Sequence, residues 1–413
     1  MRVHDVGPPG FRPAQPQEKR STRFPPNAAP FALLVAITAC GTLGMHLVIP
    51  ALPATARALH VSAGTIQLTI TLYLIGLAAG QLAYGPISDR FGRRPVLLAG
   101  LALFTLAGLA TALAPSAALL IVARIAQSIG GCAGLVLGRA MVRDAAEGDR
   151  ATKQLALLTL VMSMAPAIAP VFGGYAVAWF GWRAAFGVLA AVGLVTFALA
   201  AWKLPETNRP AGTRGGASLL AGSIRLARSP AFRGFALGGA CTTTSFYAFM
   251  AASPFIFINL LHQTPQRVGL YYMLLMVGLA AGGFTANRLA GRVRMEWVLR
   301  GANLLAIAAA AGFLLAWATG VLNVATVVGS VGLFMMGAGI ASPFALTSAI
   351  SVNPNAIGAA SGLYGAVQML YGALCTVIVA SWAPGSVPTV GVVMLGSAVL
   401  GQLALSAAMR TRR

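Results

Sequence analysis

The feature that most constrains the fold is a polar segment, residues 85–95, enclosed by two long apolar runs. The run before it, 72–84, and the run after it, 96–115, contain no charged residue. Four ionised side chains fall within six positions of the polar segment, and hydrocarbon cannot accommodate them. The sequence therefore predicts a tight turn at a membrane surface between two spanning helices. Gly85 and Gly92 would let backbone segments approach closely there.

The composition agrees with a membrane protein. The hydrophobic fraction is 58%, the charged fraction is 9% and the mean hydropathy is +0.80, which excludes a soluble globular domain. A spanning helix needs roughly 20 apolar residues, so a chain of 413 residues can supply about a dozen of them with short loops.

The apolar runs predict twelve spanning helices in two sets of six. The first set covers residues 30–52, 64–87, 95–114, 116–141, 152–180 and 182–203. The second set covers residues 232–258, 268–290, 297–320, 322–350, 357–381 and 387–409. The predicted fold class is an all-α membrane protein made of two six-helix halves.

The polar stretches divide the chain into five parts. These are a tail 1–29, a first half 30–204, a linker 205–231, a second half 232–409 and a short tail 410–413. The first part is rich in Pro and Arg and lacks the apolar core of a signal peptide. We therefore expect it to be a disordered cytoplasmic tail.

Lys and Arg are distributed unevenly between the two sides of the predicted membrane. With the N-terminus inside, all but four of the 29 lie in cytoplasmic segments or at the ends of helices that adjoin them. The exceptions are Arg57, Arg124, Arg183 and Arg267. Because cytoplasmic loops carry the excess of Lys and Arg, both termini are predicted to be cytoplasmic. This distribution also explains the net charge of +21 without a nucleic-acid partner.

The polar segment has the pattern Gly-x-x-x-Asp-Arg-x-Gly-Arg-Arg and lies between the second and third predicted helices. It resembles the signature loop of the major facilitator superfamily, which implies a gating role for this loop. The residues concerned are Gly85, Asp89, Arg90, Gly92, Arg93 and Arg94. A generic cytoplasmic loop would explain the arginines but not the aspartate or the glycines. A blurred copy at 283–292, after the eighth predicted helix, indicates an internal duplication.

The resemblance also implies contacts for two aspartates. Asp89 would meet the positive N-terminal end of the eleventh helix in the outward-facing state, as a helix-dipole contact. Asp144, at the end of the fourth helix, could pair with Arg93 or Arg94. Exposed ion pairs of this kind contribute about 0–1 kcal/mol each, which suits a reversible latch.

The fourth predicted helix carries Arg124 inside an otherwise uncharged run, followed by Gln127. An arginine there is costly unless it faces a cavity or a polar partner. The stretch resembles the Arg-x-x-Gln-Gly motif of drug:proton antiporters, with Ser128 in place of the first Gly. By this resemblance Arg124 and Gln127 would help to set the protonation of a nearby group. The alternative is an arginine that extends its side chain to the outer surface.

The fifth predicted helix contains Pro166, Pro170, Gly173 and Gly174. Each proline removes a backbone donor, and the glycines permit close packing, so the helix is suited to act as a hinge. The stretch resembles the antiporter motif in the form found in the Bcr/CflA drug-resistance branch of the superfamily. The alternative is a kinked helix with a purely structural role. The fold further implies contacts of helix 2 with helix 11 and of helix 5 with helix 8.

The first predicted helix departs from that branch. In that branch the first helix usually carries an acidic residue shortly before the sequence Leu-Pro-Ala-Leu-Pro. Here the corresponding sequence is Ile-Pro-Ala-Leu-Pro, and His46 occupies the place of the acidic residue. None of the eight acidic residues lies deep in a predicted helix, although a proton-coupled exporter of cations normally needs a buried carboxylate. An imidazole with an ordinary pKa of about 6.5 could carry the coupled proton. It could equally be a neutral, hydrogen-bonded and inert residue.

A substrate cavity is expected between the halves, near the middle of the membrane. Aromatic and Met side chains would give adaptable apolar contacts, and one amide would give a directional hydrogen bond. The candidates are Tyr73, Met162, Tyr247, Tyr271, Tyr272, Met276 and Gln368. Each of them alone could equally be a packing or lipid-facing residue.

These features predict a multi-pass protein of the bacterial inner membrane that exports small amphiphilic, neutral compounds by proton antiport. Chloramphenicol-like and bicyclomycin-like compounds fit the resemblance, and the missing acid favours neutral or anionic substrates over cations. The alternative is a metabolite exporter or facilitator without proton coupling. The spans contain no motif of an intramembrane hydrolase and no phosphate loop, so an enzyme is not expected. We expect no cofactor or metal, a proton gradient as the energy source, and a monomer in the lipid bilayer.

Overall fold

A computed structural model describes residues 30–145, 148–207, 225–353, 357–382 and 385–411. The predicted tail 1–29, most of the predicted linker and the last two residues lie outside these ranges. Within the described ranges the chain is helical, without strands, and twelve helices are long and apolar enough to cross a membrane. The prediction of twelve spanning helices is confirmed.

We number the helices by span. The first six are α1 (Phe31–Ala58), α2 (Ala63–Phe91), α3 (Arg93–Ala112), α4 (Ala117–Ala145), α5 (Gly148–Phe180) and α6 (Trp182–Lys203). The second six are α7 (Pro230–Leu260), α8 (Pro265–Leu289), α9 (Met295–Ala318), α10 (Val324–Ile350), α11 (Ile357–Trp382) and α12 (Val387–Thr411). Most ends lie within a few residues of the predicted ones.

The largest shift of a helix end concerns α1, which continues six residues beyond the predicted end at residue 52. Its first segment ends at His46, a 3-10 turn covers Ile49–Ala51, and a second helical segment covers Leu52–Ala58. The prolines of this stretch fall at the beginning of the turn and of the second segment. A proline there lacks only a donor that would have no helical partner, so it redirects the span without ending it.

The turn between α2 and α3 is shorter than predicted. The α2 helix runs through the first part of the polar segment to Phe91, and the chain reverses at Gly92 alone. Gly92 has a φ of +95°, which favours glycine. Gly85 lies inside α2 and has no atom within 4 Å of where a Cβ would be, so its predicted close approach is wrong. Gly291 after α8 has a φ of +75°, which supports the internal duplication.

The two sets of six helices meet mainly through α2 with α11 and α5 with α8, as predicted. Within the first set, Gly76 and Gly80 of α2 pack against Ser128 and Cys132 of α4. These small residues tighten the first set internally, since they let helix backbones approach each other closely.

We call the end of the bundle that carries the turn at Gly92 the loop end, and the opposite end the far end. The contacts between the sets extend from Gln81 of α2, which packs against Gly365 of α11, to the far end. There the Thr71 and Thr376 hydroxyls are 2.7 Å apart, between α2 and α11. At the loop end, by contrast, Gly358 of α11 has no atom within 4 Å of a Cβ position, and most residues of α5 between 153 and 164 are exposed or half-buried. These parts of α5 and α11 are therefore less closely packed than the far end.

Candidate functional site

Arg124 lies wholly inside the first set of helices, with 0% of its surface exposed. Its Nη1 donates to the carbonyl oxygen of Gly44 at 2.8 Å and to Oε1 of Gln127 at 2.7 Å. The guanidinium carbon stands 4.2 Å from the centroid of the Tyr73 ring. The predicted proximity of Arg124 to Gln127 is therefore present. The alternative of an arginine extended to the outer surface is wrong.

The buried guanidinium is only partly satisfied. Among the described residues, Nε and Nη2 of Arg124 and Nε2 of Gln127 have no hydrogen-bond partner. The acids whose side chains the structure describes lie at or beyond helix ends, and none of them forms an ion pair with Arg124. The positive charge is instead compensated by a carbonyl, an amide oxygen and an aromatic face.

His46 ends the first segment of α1 and is 6% exposed. Its Nδ1 is 2.9 Å from the carbonyl oxygen of Thr42, so that nitrogen carries a proton and donates it. Two residues earlier, Gly44 supplies the carbonyl that Arg124 binds. His46 is thus close in the chain to the carbonyl group that binds Arg124. Its role as a proton carrier stays a prediction.

Arg93 is the centre of the charged cluster at the loop end. It forms ion pairs with Asp89 at 2.7 Å and with Asp144 at 3.3 Å, and it donates to the Ser88 hydroxyl. The predicted pair between Asp144 and Arg93 is present. Arg90 lies over the ring of Phe91 instead of joining the cluster. The predicted contact of Asp89 with the start of α11 stays a prediction, because residues 354–356 lie outside the described ranges.

Sequence reasoning missed Glu206 as a member of this cluster. Its carboxylate accepts hydrogen bonds from the backbone N–H groups of Arg93 at 3.0 Å and Arg94 at 3.1 Å. These are unpaired donors in the first turn of α3, where a negative charge also complements the helix dipole. Arg94 in turn donates to the Ala201 carbonyl near the end of α6. The available sequence signal was an acidic residue directly after the sixth predicted helix, on the side of the membrane where the third predicted helix begins.

The predicted hinge helix α5 is continuous from Gly148 to Phe180, with both prolines inside it. A Cβ at Gly173 would collide with the Leu47 carbonyl of α1, and one at Gly174 would collide with the Pro265 carbonyl of α8. The predicted close packing of these glycines is present. Whether Pro166 and Pro170 act as a hinge stays a prediction.

The α8 helix contributes a matching glycine to this seam. A Cβ at Gly269 would lie 2.5 Å from the Pro170 carbonyl oxygen and 2.7 Å from the Val171 Cα. The far end is therefore closed by direct contact between helix backbones of α5 and α8. Sequence reasoning had singled out only the glycines on α5.

Three of the seven cavity candidates are buried in this conformation. Tyr73 donates to the Gly41 carbonyl at 2.8 Å, and the hydroxyl of Tyr272 lies 2.5 Å from that of Ser253. Met276 is 6% exposed. They pack inside their own sets of helices here, and their contact with substrate stays a prediction.

The other four candidates are half-buried, and the structure does not bring them together. Tyr271 donates to Gln263 at 2.8 Å and Gln368 donates to Thr243 at 2.8 Å, both within the second set. Tyr247 packs against Gly372 of α11. In the first set, Nη2 of Arg139 donates to the sulfur of Met162 at 3.5 Å. Arg139 is a residue that sequence reasoning had counted only among the charges at the end of the fourth helix.

Comparison with known proteins identifies relatives of the whole bundle. Residues 34–376 match the family described as Major Facilitator Superfamily. A chloramphenicol resistance protein of Pseudomonas aeruginosa is 35% identical, over 86% of this chain and 82% of its own. A bicyclomycin resistance protein homolog of Haemophilus influenzae is 30% identical, over 82% of this chain and 85% of its own.

A solved structure shares the fold. The crystal structure of a D-xylose-proton symporter has a TM-score of 0.73 and 16% sequence identity, over 92% of this chain and 96% of that one. At this identity the likeness shows the fold alone. The family match and the two relatives show a multi-pass transporter of the bacterial inner membrane, not an enzyme. The chain belongs to the Major Facilitator Superfamily, in its Bcr/CflA-type branch of exporters.

Proposed function

We propose that this protein is a multidrug exporter that moves small amphiphilic, neutral compounds out of the cell by proton antiport and alternating access. The observation that carries the proposal is that the two sets are joined at the far end while parts of α5 and α11 at the loop end are loosely packed, from which we infer a gap open toward the loop end. The relatives named for chloramphenicol and bicyclomycin resistance support this substrate class. A small molecule, protons and the lipid bilayer are then the only partners required.

The distribution of Lys and Arg supports placing the loop end in the cytoplasm. Substrate would then enter the gap from the cytoplasm or the inner leaflet. Closure of the loop end and separation of the glycine seam at the far end would release it outside. The cluster of Asp89, Arg93 and Asp144 would act as the reversible latch, since partly exposed ion pairs are weak enough to break during each cycle.

Proton coupling would depend on His46, because the acids whose side chains the structure describes lie at or beyond helix ends. Its hydrogen bond to Thr42 fixes one ring nitrogen, and the other nitrogen is the site that would take up and release a proton. Arg124 would bias this equilibrium, since a fixed positive charge nearby disfavours a second one. The competing function is a facilitator or metabolite exporter, for which His46 would be an inert packing residue.

The test is export of chloramphenicol and bicyclomycin from a pump-deficient bacterium that expresses the chain, with and without a protonophore. We expect lower drug accumulation with the chain, and loss of this effect with the protonophore. His46→Ala should abolish protonophore-sensitive export, whereas His60→Ala, an exposed histidine after α1, should not.

The possible outcomes separate the candidates. Export that is insensitive both to the protonophore and to His46→Ala would indicate a facilitator and refute antiport. Protonophore-sensitive export that survives His46→Ala would keep antiport and move the proton to another group. Export of neither drug would refute the proposed substrate class.

A further inference from the structure

One arginine that the proposed mechanism does not use lies at an opening in the wall of α4. From Ala123 to Val142, Arg139 is the one exposed residue of this helix, and the rest are buried or half-buried. It precedes the helix end at Ala145 by six residues, or about 9 Å along the helix axis. A guanidinium there requires water or a polar partner, because facing lipid is costly.

The neighbours of Arg139 place it between α1 and α5. Its Nη2 contacts the sulfur of Met162 on α5 at 3.5 Å. The preceding residue, Gly138, packs directly against the Thr38 side chain of α1. Arg139 therefore lies beside α1 and α5, near the loop end of the first set.

The described residues provide little to balance this charge. A thioether is a weak acceptor, and the three ion pairs formed by the described residues do not include Arg139. Other arginines of the first set are better satisfied. Arg93 has two carboxylates, and Arg183 has the Ala114 carbonyl and the ring of Trp182. The guanidinium of Arg139 is thus available to a group from outside the chain.

We propose that Arg139 faces the gap between the two sets of helices and forms an anionic subsite there, which binds the carboxylate of an amphiphilic substrate while Met162 supplies an apolar contact. The inference rests on the proposed function, because it makes the gap the path of the substrate. A guanidinium pairs with a carboxylate through two parallel hydrogen bonds, and the contact strengthens where water is scarce. The protein then takes monoanionic amphiphiles as well as neutral ones, and permanent cations are repelled.

Binding tests this without requiring transport. The purified full-length chain in phosphatidylcholine nanodiscs is titrated with a fluorescent amphiphilic monocarboxylate and with its primary amide. We expect the carboxylate to bind at least tenfold more tightly than the amide. Arg139→Gln should remove this difference and leave the affinity for the amide unchanged, while Arg139→Lys should keep part of it. The control is Arg57→Gln, an exposed arginine at the far end of α1.

Equal affinities of the wild type for the two probes, or no binding of either, would overturn the assignment. So would an equal effect of Arg139→Gln and Arg57→Gln. Phosphatidylglycerol added to the nanodiscs forms a second arm. If it displaces the carboxylate probe from the wild type, the subsite holds a lipid headgroup, and the substrate assignment is refuted. An Arg139-dependent preference for the carboxylate, together with no drug export by cells, would defeat the proposed function and leave the subsite standing.

Discussion

At the scale of single residues, the burial of Arg124 shows how a cation is kept inside a helix bundle without an acid. The guanidinium exchanges water for the Gly44 carbonyl, the Gln127 amide oxygen and the face of Tyr73. These partners are fixed in place by α1, α2 and α4. The arrangement requires the planar, forked shape of the guanidinium, which an ammonium group cannot reproduce.

Arg124→Lys should therefore lower the thermal stability of the protein in detergent. Lysine keeps the charge but loses the ring contact and leaves at least one buried acceptor unsatisfied, which costs about 1–3 kcal/mol. The midpoint of thermal aggregation, followed by size-exclusion chromatography, measures the effect. Arg57→Lys is the control because that side chain is exposed, and its midpoint should not change. Equal midpoints for the two variants would contradict the structural role of Arg124.

Residues of one chemical type could not be told apart from the sequence alone. The unusual position of Arg124 was visible in the sequence because an isolated charge in an apolar run is expensive wherever it faces. Arg139 and Glu206 lie near the predicted cytoplasmic ends of helices, where charges are common, so the sequence did not show what either side chain contacts. Only the tertiary structure shows that Arg139 is exposed beside Met162 and that Glu206 caps α3.

At the scale of helices, the far end is closed by backbones in direct contact. The α5 and α8 helices approach through Gly174 and Gly269, where a side chain would have no room. Contacts of this kind form and separate readily, because they involve no buried ion pair and order few side chains. The seam is therefore suited to open and close during transport.

Gly269→Ala should open this seam. The added methyl group would lie 2.5 Å from the Pro170 carbonyl oxygen, so α5 and α8 must separate, at a cost of about 1–3 kcal/mol. We expect a cysteine placed at Gln266 beside the seam to react several-fold faster with a maleimide in this variant. The four native cysteines are buried and give a low background.

The matched control for the seam is Gly187→Ala in α6. A Cβ at Gly187 meets no atom within 4 Å, so this variant should label at the rate of the parent. If Gly269→Ala also labels at the parent rate, the seam does not hold the far end closed.

At the scale of the whole molecule, the two sets of helices are joined at the far end. The Thr71 and Thr376 hydroxyls join α2 to α11 at that end, and both side chains are fully buried. Transport by alternating access requires this contact to break and re-form once per cycle. The pair is therefore a place where the cycle can be stopped.

A Thr71→Cys, Thr376→Cys double variant should form a disulfide under mild oxidation, because the two hydroxyl oxygens are 2.7 Å apart. The cross-link should abolish drug export, and reductant should restore it. Mass spectrometry must verify the linkage, since Cys375 adjoins the introduced residue. Each single variant should export normally under oxidation. Export that continues in the cross-linked protein would contradict opening at the far end.

The sequence by itself determined the class of fold. The sequence has runs of about 20 apolar residues, charges gathered between them and a charged turn that contains glycine. Few folds other than a helix bundle accommodate these features in a bilayer, because burying charges or unpaired backbone groups there is costly. Only the tertiary structure decided which residues pair with Arg93 and where the glycine seam lies. It also decided that the turn is confined to Gly92 and that Arg139 is exposed. These depend on which helix faces which, and that is settled by contacts between residues far apart in the chain.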